Sequence, residues 1–274
     1  MDVPSSGSIL ACTALGPRAA PPVVLLHGLG GQKEAWFPVQ QALAARRRVL
    51  AFDHRGAGTS PAPDPGATLA DFAADLWASL DREGQGRTAL VGHSFGGGVA
   101  LEAALAAPAR VTALVLVSTA GAGRPRLTGD PDAHEALRRA ASLTAAEWRS
   151  RVIPHLFGPA WRDRHAARLD RVARFWAATP RDPEGIARQW QAWEAWDRWD
   201  DLPRLALPVL VVHGTADTLA SPENGHRYAA RIPGARLVLL PGVGHYPQVE
   251  DPAGLLTVIA PFLDEADPVS ETVP

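Results

Sequence analysis

The pentapeptide Gly92-His93-Ser94-Phe95-Gly96 is the part of this chain best suited to covalent chemistry. It follows an apolar run, Thr88-Ala89-Leu90-Val91, and opens a helical pattern over Phe95–Ala107. In that setting Ser94 stands in a sharp, strained turn with its Oγ raised above a sheet edge. Gly92 and Gly96 lack the Cβ atoms that would collide in so tight a turn. The helix N-terminus behind Ser94 supplies free N–H groups and a positive dipole end, both suited to an oxyanion. The plainer alternative is a Gly-rich strand-to-helix turn with an incidental serine. A serine hydroxyl is a poor nucleophile near neutral pH, so it needs a general base and a group that orients the base. His245 in "GVGHYPQ" and Asp217 in "HGTADT" each sit just after an apolar run, where α/β folds place their sites. Taken singly, the histidine reads as a surface residue and the aspartate as a turn-former.

The elements that would position these residues are legible as a rhythm. Short apolar runs occur at Pro21–Gly28, Arg47–Asp53, Arg87–Ser94, Val111–Ser118, Leu207–Gly214 and Ala235–Gly242. Runs rich in Val and Leu, apolar on both faces, mark strands of a buried parallel sheet. Helical patterns lie between them at Glu34–Ala45, Leu69–Arg82, Phe95–Ala107, Ser221–Arg231 and Pro252–Leu263, with Thr68 and Asp71 spaced as an N-terminal capping pair. This alternation predicts an α/β fold: a mostly parallel sheet, right-handed crossovers and helices on both faces. The rhythm breaks between about Gly121 and Asp200, a stretch without a good strand that holds seven of the nine Trp. The expected organisation is a core of residues 1–120 and 201–274 with an all-helical cap, 121–200, inserted between two strands.

Composition removes other classes. The chain has 274 residues, 46% of them hydrophobic, which suits one large folded unit and argues against disorder. Its 27 Lys+Arg against 29 Asp+Glu give a formal net charge of −2, without the basic excess of a nucleic-acid binder. The single cysteine, Cys12, can form neither an internal disulfide nor a zinc cluster and fits a reducing compartment. No secretory signal is visible at the N-terminus and no run of about 18 apolar residues occurs, so a cytoplasmic protein without a membrane partner is expected. The acidic, Pro-containing tail after Leu263 reads as frayed.

The segments "LLHGLGG", "FDHRGAGTS", "VGHSFGGGVA", "VVHGTADTLAS" and "LPGVGHYPQVEDP", in this order, resemble the α/β-hydrolase superfamily over nearly the whole chain. The likeness is to bacterial serine hydrolases with a helical cap: esterases, enol-lactonases, cofactor-free haloperoxidases and C–C bond hydrolases. It implies the order Ser94, Asp217, His245 for a catalytic triad, and an oxyanion hole from the backbone N–H groups of Leu29 and Phe95. His27 and Gly28 then shape the turn. Asp53 and its loop take a bracing role, a catalytic Asp53 being the minority reading. The implied activity is hydrolysis of carboxylic esters or lactones through an acyl-enzyme, without cofactor or metal, on a small-molecule substrate. Perhydrolase or C–C hydrolase chemistry would use the same triad, and a hydrolase-fold receptor would keep it with little turnover. Ser94 at the elbow disfavours enzymes with an Asp nucleophile.

Trp190, Trp193, Trp196 and Trp199 recur every three residues, a step that drifts around a helix, so they cannot share one stripe. Core packing is the default for such residues. The sharper expectation is that Trp176, Trp190 and Trp193 line a substrate pocket. An aromatic cap without lysine predicts neutral, apolar substrates over anionic ones. His93 is expected to point away from Ser94, His54 and His213 to hold structural hydrogen bonds, and His134, His155, His165 and His226 to be solvated.

Overall fold

The computed structural model describes residues 7–123, 127 and 129–269. Residues 1–6, 124–126, 128 and 270–274 lie outside them, with the leader reading and the end of the tail; the start of the tail is not frayed, since the last helix continues to Ala266 and Asp264 accepts from Arg47 Nη2 at 2.7 Å. The strands are β1 (Cys12–Leu15), β2 (Pro22–Leu26), β3 (Arg48–Phe52), β4 (Thr88–His93), β5 (Val111–Val117), β6 (Val209–Gly214) and β7 (Arg236–Leu240). They form one sheet in the order β1-β3-β2-β4-β5-β6-β7. Only β1 runs antiparallel, pairing Cys12 with Phe52. The six apolar runs all became strands. β1 was not anticipated because it is a short edge strand of half-buried residues, without the double-sided apolar pattern that marks the interior.

The helices around the sheet are α1 (Phe37–Leu43), α2 (Leu69–Arg82) and α3 (Phe95–Ala106), then α4 (Pro131–Arg138), α5 (Ala145–Glu147), α6 (Ile153–Leu156), α7 (Pro159–Arg164), α8 (Ala166–Ala178) and α9 (Pro183–Ala195). After β6 come α10 (Glu223–Arg231), α11 (Pro247–Glu250) and α12 (Pro252–Ala266). Alternate side chains of each strand point to opposite faces, so the sheet carries two cores. Val24, Leu26, Leu50, Phe52, Leu90 and Leu116 pack with α2, α3 and α10. Val23, Leu25, Val49, Val91, Val115 and Val212 pack with α1 and α12. The Thr68–Asp71 capping box starts α2 where the spacing predicts, with Thr68 N–H donating to Asp71 Oδ2 at 2.8 Å. The predicted helix over Glu34–Ala45 divides into a 3-10 turn, Lys33–Trp36, and α1. Pro38 accounts for the break, since it has no N–H to bond the carbonyl four residues earlier.

Between β5 and β6 the chain forms α4 to α9, with a third apolar cluster that includes Ile153, Leu156, Phe157, Trp161 and Leu169. A π-helical turn, Trp148–Val152, precedes α6. Pro154 again lacks the N–H that an α-helical bond to Ser150 requires, and the chain widens its turn there. α9 ends at Ala195, so Trp196 and Trp199 lie beyond the helix that carries Trp190 and Trp193. Trp196 instead stacks on Trp193, with ring centroids 5.4 Å apart, and its Nε1–H donates to Glu102 Oε2 of α3 at 2.9 Å. Arg198 grips both oxygens of Glu102, Nε to Oε2 at 2.8 Å and Nη2 to Oε1 at 2.6 Å. Burial alone would raise the Glu102 pKa, and these donors outweigh it and hold the carboxyl below its usual value. Among the described residues, no helix is long and apolar enough to cross a membrane, and no cluster of His, Cys, Asp and Glu could hold a metal.

Removing one partner of a buried pair strands the other charge. Glu102 is 3% exposed, so Arg198→Met is expected to cost about 2–4 kcal/mol in urea unfolding, discounted for the partial exposure of Arg198. Arg204→Met, which removes a partner that is 73% exposed, should change stability by less than about 0.5 kcal/mol. Equal effects from the two variants would reject Glu102 as an anchor.

Candidate active site

Ser94 joins β4 to α3 with φ 52° and ψ −118°, a backbone conformation that a non-glycine residue adopts only under constraint. Its N–H donates to Val117 O at 2.9 Å, and its carbonyl accepts from Gly97 N–H at 2.9 Å to start the helix. A Cβ on Gly92 would lie 2.3 Å from Gly96 O, and one on Gly96 would lie 2.5 Å from His27 O. Both obstacles are backbone, so only glycine lets the three segments approach this closely.

Asp217 follows β6 and His245 follows β7, and the fold brings them together. His245 Nδ1 donates to Asp217 Oδ2 at 2.8 Å. His213 Nε2 donates to the same oxygen at 3.1 Å and to Ala220 O at 3.0 Å. Asp217 Oδ1 accepts from Leu219 N–H at 2.9 Å and Ala220 N–H at 2.8 Å. Burial by itself would push this carboxyl up. Attraction to His245 and the hydrogen bonds from His213 and His245 outweigh it, holding Asp217 well below the usual carboxylate range. With Nδ1–H committed to Asp217, His245 Nε2 keeps its lone pair. Sequence reasoning gave His213 a structural bond without identifying its partner. The spacing of four between His213 and Asp217 across a strand end was the available signal.

Ser94 and His245 meet as walls of one cavity of ≈ 810 Å³ between the sheet's carboxyl ends and the α4–α9 segment. Among the described residues Ser94 Oγ has no hydrogen-bond partner, His245 included; in unliganded hydrolytic sites this contact is commonly long and tightens with substrate. Leu29 and Phe95 line the same cavity. Neither backbone N–H donates to another described residue, whereas the neighbouring Gly30 N–H is taken by Gln189 Oε1 at 2.8 Å. Gln189, on α9 and buried, also donates through Nε2 to Arg55 O at 2.8 Å. It ties the turns after β2 and β3 together, and a glutamine within a helical pattern gave no sequence signal of this.

Histidines pack behind the site. His27 Nδ1–H donates to Gly28 O at 3.2 Å, and its Nε2 accepts from Tyr246 OH at 2.9 Å. His54 Nε2 donates to His27 O at 2.9 Å, and His93 Nε2 to His245 O at 2.7 Å. Burial lowers His27 and His54 to about 4. Burial, with the neighbouring His245 and His27, pushes His93 well down also. All three are neutral near pH 7. Asp53 accepts from Lys33 N–H at 2.8 Å and Lys33 Nζ at 2.7 Å, away from Ser94 in its bonding.

Trp176, Trp190 and Trp193 all line the cavity, joined by Trp148, which packs on Trp176 at 5.1 Å between centroids. Two expectations need correction. His134 is not solvated: it lines the cavity, bonds Leu219 O through Nε2 at 2.9 Å and packs edge-on against Trp190 at 5.6 Å. The charge argument counted lysines, but Arg138, Arg168, Arg171 and Arg181 line the cavity, against Glu34 and Glu194.

Known proteins fit this architecture. A family model for the alpha/beta hydrolase fold matches residues 21–252. A candidate carbamate hydrolase from Variovorax paradoxus is 36% identical over 257 residues, covering 90% of this chain and 93% of that protein. The solved enol-lactonase from Burkholderia xenovorans is 28% identical with a TM-score of 0.81, over 93% of this chain and 96% of its own. A thermophilic esterase from Thermogutta terrifontis is 28% identical with a TM-score of 0.77, over 94% and 93%.

The buried histidines predict a pH response. In the unfolded chain each titrates near 6.5, whereas His27 and His54 fold with values near 4. The unfolded state therefore binds more protons below 6.5, and this contribution to stability is full above 6.5 and lost as pH falls toward 4. Unfolding free energy measured by denaturant titration should drop across that window, with a shallower slope in His54→Gln. A flat profile through the window would contradict the neutral assignment.

Proposed function

The chain belongs to the α/β-hydrolase fold family, and from that footing we propose that it is a serine hydrolase cleaving carboxylic esters or lactones. Ser94 Oγ attacks the substrate carbonyl carbon and passes its proton to His245 Nε2. Asp217 holds His245 in the required tautomer and stabilises the imidazolium. The Leu29 and Phe95 N–H groups receive the oxyanion, each such donor being worth about 2.7–4 kcal/mol in the transition state. His245 then gives its proton to the leaving alkoxide, the acyl-enzyme forms, and the same imidazole activates water to release the acid and restore Ser94. Residues 121–200 serve as a cap whose Trp176, Trp190 and Trp193 contact the substrate's apolar part.

The observation that carries this reading is the convergence of two uncommitted backbone N–H groups, a strained serine and an aspartate-held imidazole on one cavity. A binding module of unrelated fold needs no strain at Ser94 and no free amide pair beside it, whereas a hydrolase-fold receptor keeps both and differs in turnover. Carbamates present the same carbonyl geometry, and the Variovorax relative makes them natural companions to esters and lactones in an assay.

A fluorophosphonate probe should label the protein at Ser94, with no labelling in Ser94→Ala and far slower labelling in His245→Ala. Turnover of short esters in Ser94→Ala should fall by about three orders of magnitude or more. Undiminished turnover there would reject the mechanism. Labelling without turnover of any ester, lactone, thioester or carbamate would favour a receptor.

A further inference from the structure

The cavity's charges do not cancel. Glu34 shares Lys33, at 3.1 Å, with Asp53 at 2.7 Å, and Glu194 pairs with Arg138. Arg168, Arg171 and Arg181 also line the cavity, and none pairs with a carboxylate among the described residues. Arg168 and Arg171 are exposed on α8, so solvent screens them. Arg181 is different: it is half-buried, and its guanidinium lies over the Trp148 ring, 5.0 Å from the centroid.

Arg181 is only partly used by the protein. Nη1 donates to Trp176 O, and to Thr179 O at 3.3 Å, closing the end of α8. Nε and Nη2 donate to no described residue, yet they are absent from the polar atoms sealed off from solvent. Those two nitrogens form the side-on fork that matches a carboxylate's two oxygens. A helix-end role accounts for Nη1, but it supplies no counter-charge and leaves the fork idle. Arg181 lines the same chamber as Ser94, Leu29, His27 and Tyr246.

We infer that Arg181 is the anchor of a carboxylate subsite, and that the substrates are esters or lactones carrying a second, ionised carboxyl group, drawn in by the exposed Arg168 and Arg171. This rests on the hydrolase reading above and narrows its substrate class. The aromatic wall then packs the part of the substrate between the scissile carbonyl and the carboxylate. On this reading the substrate is an anion, against the expectation of a neutral one.

The probes are 3-acetoxybenzoate and its neutral counterpart 3-acetoxybenzamide, whose acetyl esters are alike. The wild type should favour the benzoate by about 10-fold or more in kcat/KM, the range of a charge-assisted hydrogen-bonded pair. Arg181→Met should erase that preference through KM, and Arg181→Lys should recover part of it. Calorimetry on Ser94→Ala tests the subsite without turnover: it should bind the benzoate about 10-fold tighter than the benzamide, less so at about 0.5 M salt. Equal affinity for acid and amide in that protein overturns the subsite and needs no variant at Arg181. Failure of phosphonate labelling and of ester turnover would overturn the hydrolase reading instead, and the calorimetric preference would still decide the subsite.

Discussion

A carboxylate taken out of water must find donors or give up its charge. Asp217 finds four, from His245, His213, Leu219 and Ala220, and so remains an anion where solvent scarcely reaches it. Much of the site hangs on this. The bond to His245 Nδ1 selects the tautomer that leaves Nε2 open, and it draws the loop after β7 onto the loop after β6. His93, at the end of β4, then holds His245 through its carbonyl, so the position of the imidazole is set from two strands at once. Burying three further histidines as neutral rings keeps competing cations away from that carboxylate, at a cost in stability that grows on acidification.

The sheet contributes a platform and the helical segment contributes a roof, and polar bridges join them at two points. Glu102 of α3 receives Trp196 and Arg198 where the chain returns toward β6. Gln189 of α9 receives Gly30 N–H and donates to Arg55 O at the far side. Each bridge centres on a buried side chain, Glu102 or Gln189, whose polar atoms are satisfied, which is the condition under which polar groups specify a single arrangement. Apolar packing alone, through Trp193 against Phe95, would leave that arrangement less defined.

The sheet was legible because its strands are buried on both faces and therefore apolar throughout. β1 was not, because an edge strand with half-buried residues has no such pattern. The elbow was legible because close backbone approach leaves no residue but glycine at Gly92 and Gly96. The pairing of Asp217 with His245 could be read only through the family's order, since 28 residues separate them and contact is a property of the folded sheet. Gln189 and Arg181 act through geometry that no local spacing encodes. His134 was misjudged because its helix was treated as a surface helix, whereas the cavity turns that face inward. The tryptophan series misled in a different way: the regular spacing of Trp190 to Trp199 runs through the end of α9, so half of it belongs to a connection.

The double grip of Gln189 also makes α9 the costly edge of the chamber to lift. A motion that lifted α9 would strip Gly30 N–H and the buried Arg55 O of their shared partner. The same motion would loosen the turn that carries Leu29. Among the described residues, the edge formed by α8 makes no such hydrogen bond to the sheet's loops, and it presents Phe175 at 62% exposure beside Arg168 and Arg171. Of the two edges, the one at α9 is therefore tied by hydrogen bonds to the loops after β2 and β3, and the one at α8 is held by ring packing, Trp176 against Tyr246 at 5.9 Å between centroids.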